Sequence, residues 1–445
     1  MVNNELLEMR ISRIYIRYLI PTIIGMVTSS IYCLSDVFFI SVGVGANGLA
    51  ALNIAIPIFT MFSAIGLLFG VGGATTISIS EGAKDLKTKN KAFTLAIVAS
   101  IAVGIIITLI GLVLIEPFAY ALGSSKALLP LVKEYAFPIL VTGIPAILAY
   151  SLQVLIRADQ NPMLVMIATV SSSVLNIVLD YVFVIYFDMG MFGASFATAI
   201  SPVVSCLILS FHYFKSERTI HFVKEFWDYH LLQRIVGNGF GSCLLEISAG
   251  IVVVIFNFMI LKVGGELYLA AYAIITNIAY VIKGLLNGFA QAIQPIISIN
   301  HGAKLFHRVK HSFRVAIVFT CGFAIITYSF MLLFPKQVTS IFANGDYNLI
   351  QISAKALVLY FSSLLFTAAN TIILYYLQSI EERKLAMFLT ICRGFIFIVI
   401  GILALSSLFG MNGIWFTVCF GEVITFIISI PFLITRLGKH LEVAR

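Results

Sequence analysis

Long apolar runs separated by short polar stretches fill this chain from end to end. Twelve runs approach or exceed the roughly 20 residues that a helix needs to cross a bilayer. They lie near 16–42, 52–80, 92–115, 130–156, 163–187, 193–214, 235–262, 268–299, 311–334, 351–379, 385–408 and 412–436. Several exceed about 25 residues, which implies tilt, kinks or ends that project from the lipid. The pattern is also written twice. At a shift of 220 residues, Gly82-Ala83-Lys84 falls on Gly302-Ala303-Lys304, Gly45 on Gly265, and Ala50-Ala51 on Ala270-Ala271. Met191, Gly193 and Phe196 fall on Met411, Gly413 and Phe416. A fixed offset over half a chain predicts a duplicated bundle. The expected fold is therefore an all-α integral membrane protein with twelve transmembrane helices in two six-helix lobes. The N-lobe would span 1–214 and the C-lobe 235–445, with 215–234 as the linker. An even number of spans per lobe makes the two run the same way, related by a pseudo-two-fold axis along the membrane normal.

Composition narrows the class. The chain is 60% hydrophobic and 11% charged, and a soluble protein of 445 residues needs far more charge to cover its surface. A net charge of +8 would suit nucleic acid, but the placement of the charge argues against it. Lys and Arg cluster at alternate loops and ends: Arg10, Arg13 and Arg17; Lys84, Lys87, Lys89 and Lys91; Arg157; Lys215, Arg218, Lys224 and Arg234. The series continues with Lys304, Arg308, Lys310 and Arg314; Arg383 and Lys384; and Arg436, Lys439 and Arg445. The opposite set holds only Lys126, Lys133, Lys262, Lys336 and Lys355. The first set is expected in the cytoplasm, with both termini, in a multi-pass protein of the cell membrane. No cleavable signal is expected, because the first apolar run is long enough to span. The six cysteines lie inside apolar runs without CxxC spacing and are read as small buried hydrophobes.

Ionisable side chains at membrane depth are expensive and are functional candidates by default. The candidates are Asp36, Asp180, Glu246, Lys283, Arg393 and Glu422. Depth singles out one group. Asp36 lies about six residues, roughly 9 Å, from the outer end of span 1. Asp180 lies at a similar depth on span 5, with Asn176 one turn deeper on the same face, and Thr198 lies at that level on span 6. The matching positions of the second half are Phe256, Ile396, Ile400 and Val418. A slip of one residue in the alignment would bring Asn257 and Thr417 into register, but no acid. Two carboxylates in one low-dielectric site cannot both ionise cheaply. Such a pair holds a proton, or a monovalent cation whose shell Asn and Thr oxygens complete. A structural hydrogen-bond network between helices is the competing reading.

Pro21, fifteen residues before Asp36, removes a backbone bond and is read as the site of a helix-1 bend, either fixed or coupled to the acidic site. Glu246 and Lys283 face the apolar Met26 and the small Ser63 at the corresponding first-half positions. They are candidates for a substrate contact, a second proton site or a structural ion pair. Arg393 is nearer the inner end and reads as structural, Glu422 is open, and Gln153 and Gln378 recur in both halves as helix-end architecture. The abundant Phe, Tyr and Met residues suit flat, greasy cations wherever they line an internal space.

These residues resemble the multidrug and toxic compound extrusion (MATE) transporters over essentially the whole chain. Pro21, the Ser-rich turn and Ser35-Asp36 are similar to that family's first helix. Asn176-x-x-x-Asp180 followed by Thr198 resembles the N-lobe cation site of its prokaryotic members. The resemblance implies that Asp36, Asn176, Asp180 and Thr198 bind the proton or sodium ion whose entry drives drug release. Glu246 looks like a C-lobe acid used by some members, but span 10 carries no Asp or Glu from Ala354 to Gln378. That departure leaves coupling to the N-lobe.

The expected function is secondary active antiport. Organic cations or other amphipathic drugs would leave in exchange for inward H+ or Na+, by alternating access around a central cavity. The expected partners are those small molecules and the lipid bilayer, with no nucleic acid, no cofactor and no metal beyond a coupling Na+. A monomer is expected. A flippase for lipids or polysaccharides, of the same broad superfamily, is the alternative. An intramembrane enzyme would need an aspartate-rich or His-based metal motif, and neither DDxxD nor HExxH occurs. There is no Walker A loop for ATP hydrolysis. A passive channel differs from an antiporter in lacking saturable, gradient-dependent uptake.

Overall fold

A computed structural model describes residues 5–214, 218–343 and 345–442, with side chains described from 6 to 435. Lys215 and Arg445, and the first residues of the expected linker (215–217), lie outside them, as do the side chains of Arg436 and Lys439. The described residues form helices and connecting turns, with no strand among them. We number the spans in chain order. In the first half these are α1 (Ile11–Gly43), α2 (Ala46–Gly82), α3 (Leu86–Val113), a bent α4 (Leu129–Val141 and Gly143–Ala158), α5 (Pro162–Asp180) and α6 (Gly190–Ser210). The second half holds α7 (Tyr229–Gly264), α8 (Glu266–Gly302), α9 (Phe306–Leu333), a bent α10 (Tyr347–Phe361 and Leu364–Ser379), α11 (383–409) and α12 (411–442).

Among the described residues, nine helices are long and apolar enough to cross a membrane, or eleven with each bent pair as one span. The last of the nine, Arg383–Thr435, is 53 residues long. It leaves helical geometry at Gly410, where φ is +57° and ψ −133°. Dividing it there yields the twelve spans expected from the hydropathy. Large apolar side chains such as Leu109, Val113, Val254, Phe258, Ile326 and Leu333 are exposed, as lipid-facing surfaces require.

The duplication is visible in the backbone. Gly45 and Gly265 take φ of +84° and +80°, Lys84 and Lys304 both +59°, and Gly190 and Gly410 +56° and +57°. Each pair is 220 residues apart. These left-handed positions end helices, and glycine takes them without a Cβ clash. The bends repeat as well: α4 turns by 56° near Thr142 and α10 by 42° near Ser362.

Two compact units divide the chain. One contains residues 20–246, the other 4–19 and 247–445. The lead turns of α1 thus pack with the second unit and those of α7 with the first. In the first unit small residues let α2, α3 and α4 approach closely. Ser151 Oγ donates to the Gly66 carbonyl at 2.9 Å and meets Ser100 Oγ at 3.0 Å. A Cβ on Gly66 would lie 2.4 Å from that of Tyr150.

Lys89, counted above among the loop charges, is fully buried. It bonds Glu81 and Thr219, and Asp159 Oδ1 lies 3.7 Å away. Asp159 also holds His212 Nε2 at 2.6 Å and the Thr219 amide at 3.2 Å. The His221 amide donates to Asn90 Oδ1 at 2.9 Å and the Val223 amide to Thr94 Oγ1 at 3.1 Å. The stretch 219–223 is therefore fastened to the ends of α2, α3 and α4.

Candidate functional site

The four polar residues singled out in the first half meet in the first unit, together with a fifth. Asp36 on α1 is 7% exposed, Thr198 on α6 8%, and Asn176 and Asp180 on α5 0%. Thr198 Oγ1 lies 3.4 Å from Asp36 Oδ1, and Asn176 Nδ2 lies 3.4 Å from Thr198 Oγ1. Both are at the long end for hydrogen bonds. The fifth residue is Tyr135, on the first segment of α4, whose hydroxyl donates to Asp36 Oδ2 at 3.1 Å. Asp180 stands close enough to Asp36 and Tyr135 for its charge to act on both. It sits at the end of α5, where the chain widens into a π turn at Tyr181–Tyr186 closed by the Phe187 amide on the Val182 carbonyl at 2.9 Å. Such turns insert an extra residue into a helix and often mark functional positions.

Three acceptor oxygens of this cluster are buried without a hydrogen-bond partner among the described residues: Asn176 Oδ1 and both carboxylate oxygens of Asp180. A buried acceptor left unsatisfied costs about 1–3 kcal/mol, more when charged. With Asp36 and Thr198 they form an oxygen-only donor set that suits a proton or a hard monovalent cation. No group of three His, Cys, Asp or Glu side chains able to hold a metal ion occurs among the described residues.

The corresponding level of the second half is built differently. Phe256 and Val418 are buried, but Ile396 is 38% and Ile400 49% exposed, so these two do not fill the equivalent space. The cause is a second π turn at Cys392–Ile396. It lies before the compared positions rather than after them and rotates the rest of α11. One residue on, the buried position is Gly401. One turn away there is a charge pair. Arg393 Nε donates to Glu422 Oε1 at 2.8 Å and Oε2 at 3.0 Å, and its Nη2 to the Thr367 carbonyl at 3.2 Å and Thr371 Oγ1 at 3.0 Å. Asn370 Nδ2 donates to Glu422 Oε2 at 2.7 Å. The second half thus holds an acid at this depth, but one already paired.

A MatE family model matches residues 21–182 and 242–403, once in each half. The chain belongs to the MatE family. It is similar to the multidrug export protein MepA of Staphylococcus saprophyticus, with 25% identity over 91% of this chain and 89% of that protein. MepA of Staphylococcus aureus is 26% identical over the same shares. Among solved structures, a MATE transporter in complex with MaL6 superposes with a TM-score of 0.93 at 23% identity, covering 98% of this chain and 99% of that one. An outward-facing multidrug resistance MATE transporter gives 0.92 at 24%, covering 98% of each. This MatE chain is accordingly a multi-pass membrane transporter of the multidrug efflux family and not an enzyme.

The other candidates of this MatE protein fall as follows. Helix α1 runs unbroken through Pro21, which has no N–H to donate to the preceding turn. Glu246 is half-buried in the first unit, near enough to Tyr150 and Cys243 to act on them electrostatically. Lys283 is exposed on α8 of the second unit. Sequence reasoning missed Tyr135, one of 18 tyrosines with no motif around it. It named Arg393 and Glu422 without pairing them. Their separation of 29 residues spans two helices, and only an opposite-charge census at equal depth would have suggested the pair.

Proposed function

We propose that this chain exports organic cations and other amphipathic drugs in exchange for an inward-moving proton or sodium ion, by alternating access. Asp36, Asn176, Asp180 and Thr198 form the coupling site, and Tyr135 orients Asp36. The observation that carries this reading is the set of unpartnered oxygens on Asn176 and Asp180 beside a second carboxylate. An acidic, oxygen-lined cluster without a basic partner is short of positive charge, and a proton or sodium ion supplies it. The names of the MepA relatives support drugs as the cargo. Glu246 offers a negative charge to cationic cargo, and Lys283 is a second candidate contact. Pro21 allows α1 to flex beneath Asp36. We further propose a monomer in the cell membrane with both termini cytoplasmic, and lobes of 1–214 and 235–445 joined by 215–234.

One charge crossing 100 mV releases about 2.3 kcal/mol, enough for a roughly fortyfold gradient. Exchanging a monovalent drug cation for one ion moves no net charge, so only the ion's concentration gradient drives it. Dye efflux from everted membrane vesicles, with pH and sodium gradients imposed separately, tests the reading. Export should follow one gradient and collapse with it. Efflux indifferent to both gradients ends the antiport proposal.

A further inference from the structure

The lead turns of α7 lie on α2 at a backbone-to-backbone crossing within the first unit. A Cβ added to Gly72 would stand 2.0 Å from the Ile235 carbonyl oxygen, and one on Gly239 would stand 1.8 Å from that of Leu68. Only glycine at both positions admits so close an approach. The polar tie across it is a short chain: Asn238 Nδ2 donates to Thr76 Oγ1 at 3.3 Å, which donates to the Gly72 carbonyl at 2.9 Å. The second unit has a counterpart. Tyr15, 220 residues before Ile235, donates to the Phe289 carbonyl at 3.1 Å. Arg308 Nη2 grips the carbonyls of Leu6 at 3.1 Å and Met9 at 2.8 Å. Each half of the duplicated chain therefore surrenders the start of its lead helix to the other unit, at the end of the bundle that carries the chain termini.

We propose that the Gly72–Gly239 crossing is a separable seam that closes the terminus-bearing side of the transporter and must part each time that side opens. The inference rests on the alternating-access reading above. Its chemistry suits repeated opening. Two glycines remove the knobs that lock most helix pairs into holes, so the smooth faces separate without any side chain being withdrawn. The tie between Asn238 and Thr76 is long, and water replaces it on opening. Because α7 continues beyond Glu246 into the second unit, relative motion of the units must part this crossing or bend α7 between them.

The test is a reversible cross-link. Thr76→Cys and Asn238→Cys are combined in one chain, and each single variant controls for the native cysteines. Oxidation of the double variant in vesicles should abolish dye export, reduction should restore it, and the single variants should be indifferent. A second measurement does not depend on the disulfide. Gly239→Leu should prop the seam open, so that a membrane-impermeant thiol reagent on the terminus side labels Thr76→Cys faster than in the same chain with Gly239 intact. Full export by the cross-linked protein, or an unchanged labelling rate, overturns the seam while leaving antiport standing. A wild-type chain that exports no cationic dye ends the reading under Proposed function instead.

Discussion

The hydroxyl of Tyr135 donates to Oδ2 of Asp36 at 3.1 Å, tying α4 to the acid on α1. The bond joins two helices and leaves Asp36 Oδ1 to Thr198. Tyr135→Phe should therefore loosen the orientation of Asp36 without removing charge. A hydrogen bond to a charged group is worth about 1.5–3 kcal/mol, so the apparent ion affinity should change by roughly tenfold or more. Efflux measured against stepped ion concentrations checks this; an unchanged ion dependence would make Tyr135 mere packing.

Asp36→Asn and Asp180→Asn should each reduce gradient-driven export to background while membrane expression stays intact. Each removes one of the two carboxylates that hold the ion. Export by both variants at the wild-type rate would leave the cluster a structural network.

Glu246→Gln should weaken export of cationic drugs more than of neutral ones, because the half-buried carboxylate offers charge only to cationic cargo. The ratio of efflux rates for a matched cationic and neutral pair is the readout. Equal losses would assign Glu246 to coupling or structure.

The Arg393–Glu422 pair should behave as a buried ion pair with side chains 9% and 8% exposed. Arg393→Met or Glu422→Leu alone should destabilise by about 3 kcal/mol or more. The double replacement should recover most of the loss. Thermal unfolding in detergent of the four members of this cycle measures the coupling, and additive losses would deny the pair.

Outside the membrane, Asp85 caps α3 by accepting from the Thr88 amide at 3.0 Å. Its bonds to Thr88 hold the carboxyl below the ordinary carboxylate range. The cap's contribution is then complete above that range and fades as pH falls through the lower folded value. Asp85→Ala should cost about 1 kcal/mol near neutral pH and progressively less in acid. A difference that grows in acid contradicts the assignment.

Much of this was legible in the chain. The offset between Gly45 and Gly265, or Gly190 and Gly410, was read as duplication, and the backbone repeats its left-handed turns at those residues. Spacing and depth selected Asp36, Asn176, Asp180 and Thr198, because regular helices convert sequence separation into height. Two things resisted. A π turn adds one residue without any compositional mark, so the facing of Ile396 and Ile400 could not be read from the repeat. Lys89 follows three loop residues that look alike in sequence. Its burial depends on Glu81, Asp159 and Thr219, the last of which is 130 residues away.

The guanidinium of Arg393 is, in effect, a cation that the protein never releases. A carboxylate so occupied has nothing to gain from an ion in solution, and changes in ionic conditions pass it by. After duplication one copy internalised its counterion while the other must borrow one. Energy stored across the membrane then enters through a single half, and the other half can only respond to what its sibling does.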